Sequence, residues 1–297
     1  MKNTDIKDLI FLQAVEAIDS GNVMLLENLI VEYPRLISER LDYPEPGYFM
    51  NPYLLWFVAD NPIRVDRLPE NIVDITKLLI KSLKNSSSNA IQEQLDYTLG
   101  LVVSGRIPKE CGVQIKMMDL LIDEGANVGD DAIALAHGNI DAAKHLITKG
   151  SRLTLPTAVG LDRINDVEQL LPRSNQDEKL TALAIAGFYG NTSMISFLLK
   201  NGANPNGYPK KESGFHSHAT PLHQAVFSGN LDAVKLLVDA GASLSARDKI
   251  YDGTPLDWAE YMPREENQSE EAINNFNKIA DYLRIKQKDK WTEYDNK

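Results

Sequence analysis

Thr254-Pro255-Leu256 reopens, 34 residues on, the pattern that Thr220-Pro221-Leu222 begins. The stretch from Thr220 to Ala246 reads as one helix–turn–helix unit. Thr220 is placed to cap a helix through its hydroxyl, and Pro221 fits the first helical position, where its missing N–H costs nothing. Gly229 and Gly241 fall where helices must stop. Val234, Leu237 and Val238, spaced i, i+3 and i+4, form the apolar stripe of the second helix. One unit cannot bury that stripe alone, so neighbouring units must stack.

The same spacing recurs upstream. Gly190-Asn191, Ile195, Leu198-Leu199 and Gly202-Ala203 match the C-terminal unit, with Thr181 in the place of Thr220. Gly138-Asn139, Ala143, Leu146-Ile147 and Gly150 make another copy, opening near Gly129. Val167 and Leu170-Leu171 mark one that opens near Leu153 and carries Asp162 at the Gly position. Met118 with Leu121-Ile122 and Gly125-Ala126, Ile75 with Leu78-Leu79, and Gly21-Asn22 with Leu26 and Leu29-Ile30 extend the series toward the N-terminus. Tyr43-Pro44-Glu45-Pro46-Gly47 and Asn85 to Asn89 are the clearest interruptions.

With Thr220-Pro221-Leu222-His223, an interhelical Gly229, the late apolar pair Leu237-Val238 and a closing Gly241-Ala242, the unit closely resembles the ankyrin repeat. The resemblance implies an all-α, ankyrin-repeat helical solenoid of about eight helix pairs between residues 5 and 285. Expected divisions are divergent repeats and a cap over 1–128, a repeat array with a C-terminal capping helix over 129–290, and a flexible tail over 291–297. Two copies are shortened, with openings 24 and 28 residues apart against the roughly 33 of ankyrin units, which predicts that they lack the hairpin finger between helix pairs. A solenoid grows in one dimension, so 297 residues need not form two globular domains.

A net charge of −11 with a sequence pI near 5.0 argues against a nucleic-acid partner, whose phosphates call for clustered Lys and Arg. No apolar run approaches the 18 residues or so of a membrane span, and the acidic residues Asp5, Asp8 and Glu16 flanking Leu9 to Val15 are unlike a secretory signal. Cys111, the single cysteine, suits a reducing compartment, and the expected location is cytoplasmic.

Catalytic signatures are missing. There is no GxGxxG after a strand, no GxxxxGK[ST] and no GxSxG, so the chain is expected not to be an enzyme and to need no cofactor. Asp130-Asp131 are adjacent in sequence and would point apart on a helix or turn. His216 and His218 form an HxH pair in the insertion from Tyr208 to Ala219, but no companion ligands complete a zinc site, and no metal is expected. The resemblance gives His223 a structural role at the repeat turn. Trp258 is expected to pack against the preceding repeat.

Two functional classes remain. The favoured one is a monomeric interaction scaffold that binds another protein through the concave face and loops of the array. In ankyrin arrays the residues at the end of the first helix and in the preceding loop carry partner contacts. Carried onto this chain, they are Phe188 and Tyr189 before Gly190, Phe227 and Ser228 before Gly229, and Tyr261 in the final unit, with Phe215, His216 and His218 overhanging the same face. Phe188 and Phe227 turned inward as core is the alternative, and Tyr189 and Tyr261, with polar tips, are the positions expected to be presented. The second class is an enzyme or small-molecule receptor sited in the divergent N-terminal third. Its support is the aromatic stretch Tyr43 to Trp56, which otherwise reads as a loop capping the open end of the stack.

Overall fold

The computed structural model describes residues 1–129, 132–265 and 268–295, so Asp130-Asp131 lie outside the described residues. Among those described there is no strand. The helices form two compact units, residues 1–151 and 152–297.

The first unit contains α1 (Leu9–Ser20), α2 (Val23–Glu32), α3 (Arg35–Ser38), α4 (Ile72–Lys84), α5 (Ile91–Ser104), α6 (Arg106–Glu110), α7 (Gln114–Asp123), α8 (Ala132–Ala136) and α9 (Ile140–Thr148). One row of packed elements runs α1, the 3-10 segment Leu54–Ala59, α5 and α8. The other runs α2, α4, α7 and α9. Four pairs result, and Leu54–Ala59 takes the first-helix place of the second pair. The expected cap at Tyr43 to Trp56 is therefore corrected: the end of that stretch is an inner element of the stack. All six residues of Leu54–Ala59 are buried, because the apolar run LLWFVA faces helices on three sides.

Where an interhelical Gly would stand, Asp60 closes this 3-10 segment in the left-handed region, at φ 44°. Its buried carboxylate accepts the backbone N–H groups of Arg64 at 2.9 Å and Asp66 at 3.0 Å. Arg64 in turn makes a two-pronged pair with Asp19 of α1, both contacts at 2.9 Å, and its guanidinium lies over the Phe57 ring. The insertion that displaces the usual tight turn is thus fastened to α1 by a nearly buried cation.

The second unit contains α10 (Leu155–Gly160), α11 (Ile164–Leu170), α12 (Gln176–Phe188), α13 (Thr192–Lys200), α14 (Pro221–Phe227), α15 (Leu231–Asp239), α16 (Pro255–Tyr261) and α17 (Glu270–Asp295). Helices α10, α12, α14 and α16 pack in succession and each pairs with the helix that follows it. Asp162 adopts φ 55°, matching the left-handed turn that Gly190 and Gly229 make at the equivalent places. As expected, the shortened copies have no finger: α9 reaches α10, and α11 reaches α12, through a few residues each. Fingers emerge only later, at 201–219 and 241–253.

Helix starts follow the sequence closely but not everywhere. Thr220 and Thr254 cap α14 and α16, each followed by a Pro in the first turn. At Thr220 the cap is reinforced by His223, whose Nδ1 lies 2.7 Å from the Thr220 hydroxyl while Nε2 lies 3.0 Å from the Gly253 carbonyl. A proton on Nε2 satisfies both contacts, which gives His223 the expected structural role. Thr181 differs. Helix α12 begins five residues before it, at a reciprocal cap between Asn175 and Glu178, and Thr181 is buried mid-helix with its hydroxyl donating to the Asp177 carbonyl.

Candidate functional site

The ends of α12 and α14 and the 201–219 finger converge on one run of rings in the second unit. Phe188 and Phe227 stack with centroids 5.2 Å apart and planes within 9°. Phe215 meets Phe188 edge-on at 5.7 Å, and His216 lies 5.3 Å from Phe188. The run continues from His216 to His218 at 5.7 Å, then to Trp258 at 6.1 Å and on to His223 at 5.1 Å. Tyr189 abuts Phe188 edge-on.

Exposure divides these rings into a floor and a face. Phe215 is 1% exposed, so its expected overhang is corrected: it is the floor on which Phe188 and His216 rest. The reason is local. The Ser213 hydroxyl donates to the Lys210 carbonyl and lies close to the Phe215 backbone, turning the loop back so that Phe215 points under the finger. Phe227 is 42% exposed and forms the open end of the stack, while His216 and His218 are half-buried. Tyr189 is also half-buried, its phenol pushed up to about 12 by that burial, so it is packed more than presented. Ser228 spends its hydroxyl on the helix end, donating to the Ala225 carbonyl at 2.7 Å. Tyr261 is 57% exposed but takes no part in the ring contacts among the described residues; a hydrogen bond to Glu265 pushes its phenol up.

The second finger is organised by Asp248. Its carboxylate, buried beneath the loop, accepts N–H groups from Ile250 at 2.9 Å, Tyr251 at 2.7 Å and Gly253 at 2.9 Å, and the Trp258 indole N–H at 3.0 Å. Burial alone would raise its pKa, yet these donors outweigh that effect and hold it at about 2. Trp258 is thereby fixed at the edge of the ring run. Repeat position alone implies only a packing role for Trp258, because its hydrogen bond to Asp248 depends on how the finger folds. Burial pushes the His218 and His223 imidazoles down, favouring the neutral, stacking form.

Among the described residues no group of three or more His, Cys, Asp or Glu side chains could hold a metal ion. Nor is any helix there long and apolar enough to cross a membrane. At the other proposed site, Phe49, Tyr53 and Trp56 are buried, Trp56 stacks on Tyr97 at 4.0 Å, and Arg40 covers the Tyr53 ring at 4.3 Å. These buried rings pack on one another and on Tyr97 and Arg40, while Tyr48 is exposed.

Comparison with known proteins agrees with this geometry. The family model for ankyrin repeats matches residues 132–248 in three copies. The human transient receptor potential cation channel subfamily A member 1 is 25% identical over 211 residues, 58% of this chain and 17% of that protein. The Arabidopsis thaliana potassium channel GORK is 39% identical over 70 residues, 24% of this chain and 8% of its own length. Human ankyrin repeat and SOCS box protein 6 is 38% identical over 74 residues, 25% of this chain and 16% of its own. The chain spans less than a fifth of the length of each of these curated relatives. Ankyrin repeats are in general protein–protein interaction modules. Paired helices, left-handed turns, the TPLH cap at Thr220 and the family match together identify residues 132–248 as ankyrin repeats.

Proposed function

We propose that the chain is a non-enzymatic scaffold that docks another protein on the ring face made by Phe188, Phe227, His216 and His218, edged by Trp258. The observation that carries this reading is the continuity of ring contacts from Phe227 to Trp258 with Phe227 left open. Aromatic residues are enriched in interface cores, and a stacked pair offers a large rigid apolar area at little entropic cost. Tyr261 belongs to the rim of the same surface. A monomer in a reducing, cytoplasmic setting, with neither nucleic acid nor membrane as its target, completes the reading.

The test is affinity capture from the native host with wild type and with Phe227→Ala combined with His216→Ala. The double variant is expected to lose the captured protein while its helical circular dichroism is unchanged. Undiminished capture by that folded variant would move the docking site elsewhere.

A further inference from the structure

The charge around the ring face differs from that of the chain. In a protein of net charge −11, the two fingers at 201–219 and 241–253 carry Lys210, Lys211, Arg247 and Lys249 against Glu212, Asp248 and Asp252. Most of those acids are already engaged. Asp248 is enclosed by four donors, and Asp252 pairs with Arg247 at 3.2 Å. Lys210 is itself engaged, with Asp177 at 2.6 Å.

Among the described residues Lys249 is a positioned cation that pairs with no carboxylate. Its backbone N–H donates to the His218 carbonyl at 2.9 Å, and its ammonium donates to the Ser217 carbonyl at 3.3 Å while lying 4.2 Å from the centre of the Tyr208 ring. Ser217 stands between the two histidines of the ring run, so two contacts of the ammonium and one of the Lys249 backbone hold the side chain beside the aromatic face. Next along the finger, Ile250 and Tyr251 are exposed apolar side chains. Lys211, exposed on the first finger, is a second cation that makes no ion pair among the described residues, offset in part by its neighbour Glu212.

We propose that the occupant of this face is an acidic peptide segment bearing an aromatic or aliphatic anchor, the anchor lying on Phe227 and Phe188 and a carboxylate reaching Lys249. The proposal rests on the reading of the ring face as the docking site and adds the chemistry of the partner. A preformed cation beside a desolvating ring surface favours a carboxylate, since the ammonium's present partners are a carbonyl and a ring face and leave its charge uncompensated. A basic segment would bring like charge against Lys249 and Lys211.

The test uses a random 12-residue peptide display library panned against the full chain, followed by affinity measurement of the winning peptides. Winners rich in Asp or Glu beside Trp, Phe or Leu are expected. Their affinity should fall at least about tenfold on Lys249→Glu, with a smaller loss on Lys211→Glu and a weakened salt dependence in both variants. Binding should also be lost on Phe227→Ala. Neutral or basic winners that still need Phe227 would overturn the acidic partner and leave the ring face standing as the docking site. Winners that bind Phe227→Ala as tightly as wild type would overturn both. A library that yields no binder also counts against the proposal.

Discussion

Single residues decide the C-terminal fingers and the closest helix contact. Asp248 satisfies four donors at once, so Asp248→Ala orphans three backbone N–H groups and the Trp258 indole. A loss of at least about 2 kcal/mol in urea unfolding is expected, since buried donors left unpaired forfeit their full desolvation cost. The pH dependence has a definite sign. With a folded value of about 2 below the ordinary 3.8, the unfolded state binds more protons, so the contribution of Asp248 is complete above pH 3.8 and disappears as pH falls through about 2. The variant should therefore lack part of the acid sensitivity of wild type. Gly187 acts through space instead. A Cβ there would stand 2.7 Å from the Pro221 carbonyl and 3.2 Å from the Ala225 nitrogen, backbone atoms that cannot swing away. Gly187→Ala should push α12 from α14 at a cost of about 1–3 kcal/mol, read as a lower thermal midpoint. Unchanged melting would mean that the two helices are less closely packed than described.

At the scale of elements, what the sequence made legible depended on chemistry that acts locally. Left-handed stops and Thr-Pro caps are properties of one or two residues, so α14, α15 and α16 could be placed from TPLH, Gly229, Gly241 and Thr254-Pro255-Leu256, and Asp162 could be recognised as a stand-in for Gly. The inner 3-10 segment Leu54–Ala59 lacks both signals. Its stop is Asp60, held in place by backbone donors four and six residues away and by Arg64, which reaches across to Asp19; none of these partners is adjacent in the sequence. Burial pushes Asp60 up despite the opposing effect of Arg64, so the site depends on that cation. Arg64→Ala should cost about 3–5 kcal/mol in urea unfolding, the usual result of leaving buried carboxylates uncompensated. The deficit should shrink as the solution is acidified, because the unpaired Asp60 then binds a proton more readily folded than unfolded. A deficit that grows on acidification would contradict the role given to this pair.

On the scale of the whole molecule, periodicity alone revealed the count of stacked pairs, whereas the candidate site was only half legible. Phe188 and Phe227 could be placed side by side because they occupy the same repeat position. Phe215 could not be placed, because a finger's fold is set by contacts such as those of Ser213 that no repeat pattern encodes. The ring face and its adjoining fingers are proposed as the place where this chain meets its partner. Hydrogen–deuterium exchange of the full chain, free and bound to the protein captured from its host, tests that most directly. Slowed exchange on binding is expected over residues 207–220, 226–229 and 247–253, with the helices α2, α4 and α7 unchanged. Protection confined to α1 to α9, with both fingers exchanging as in the free chain, would contradict it.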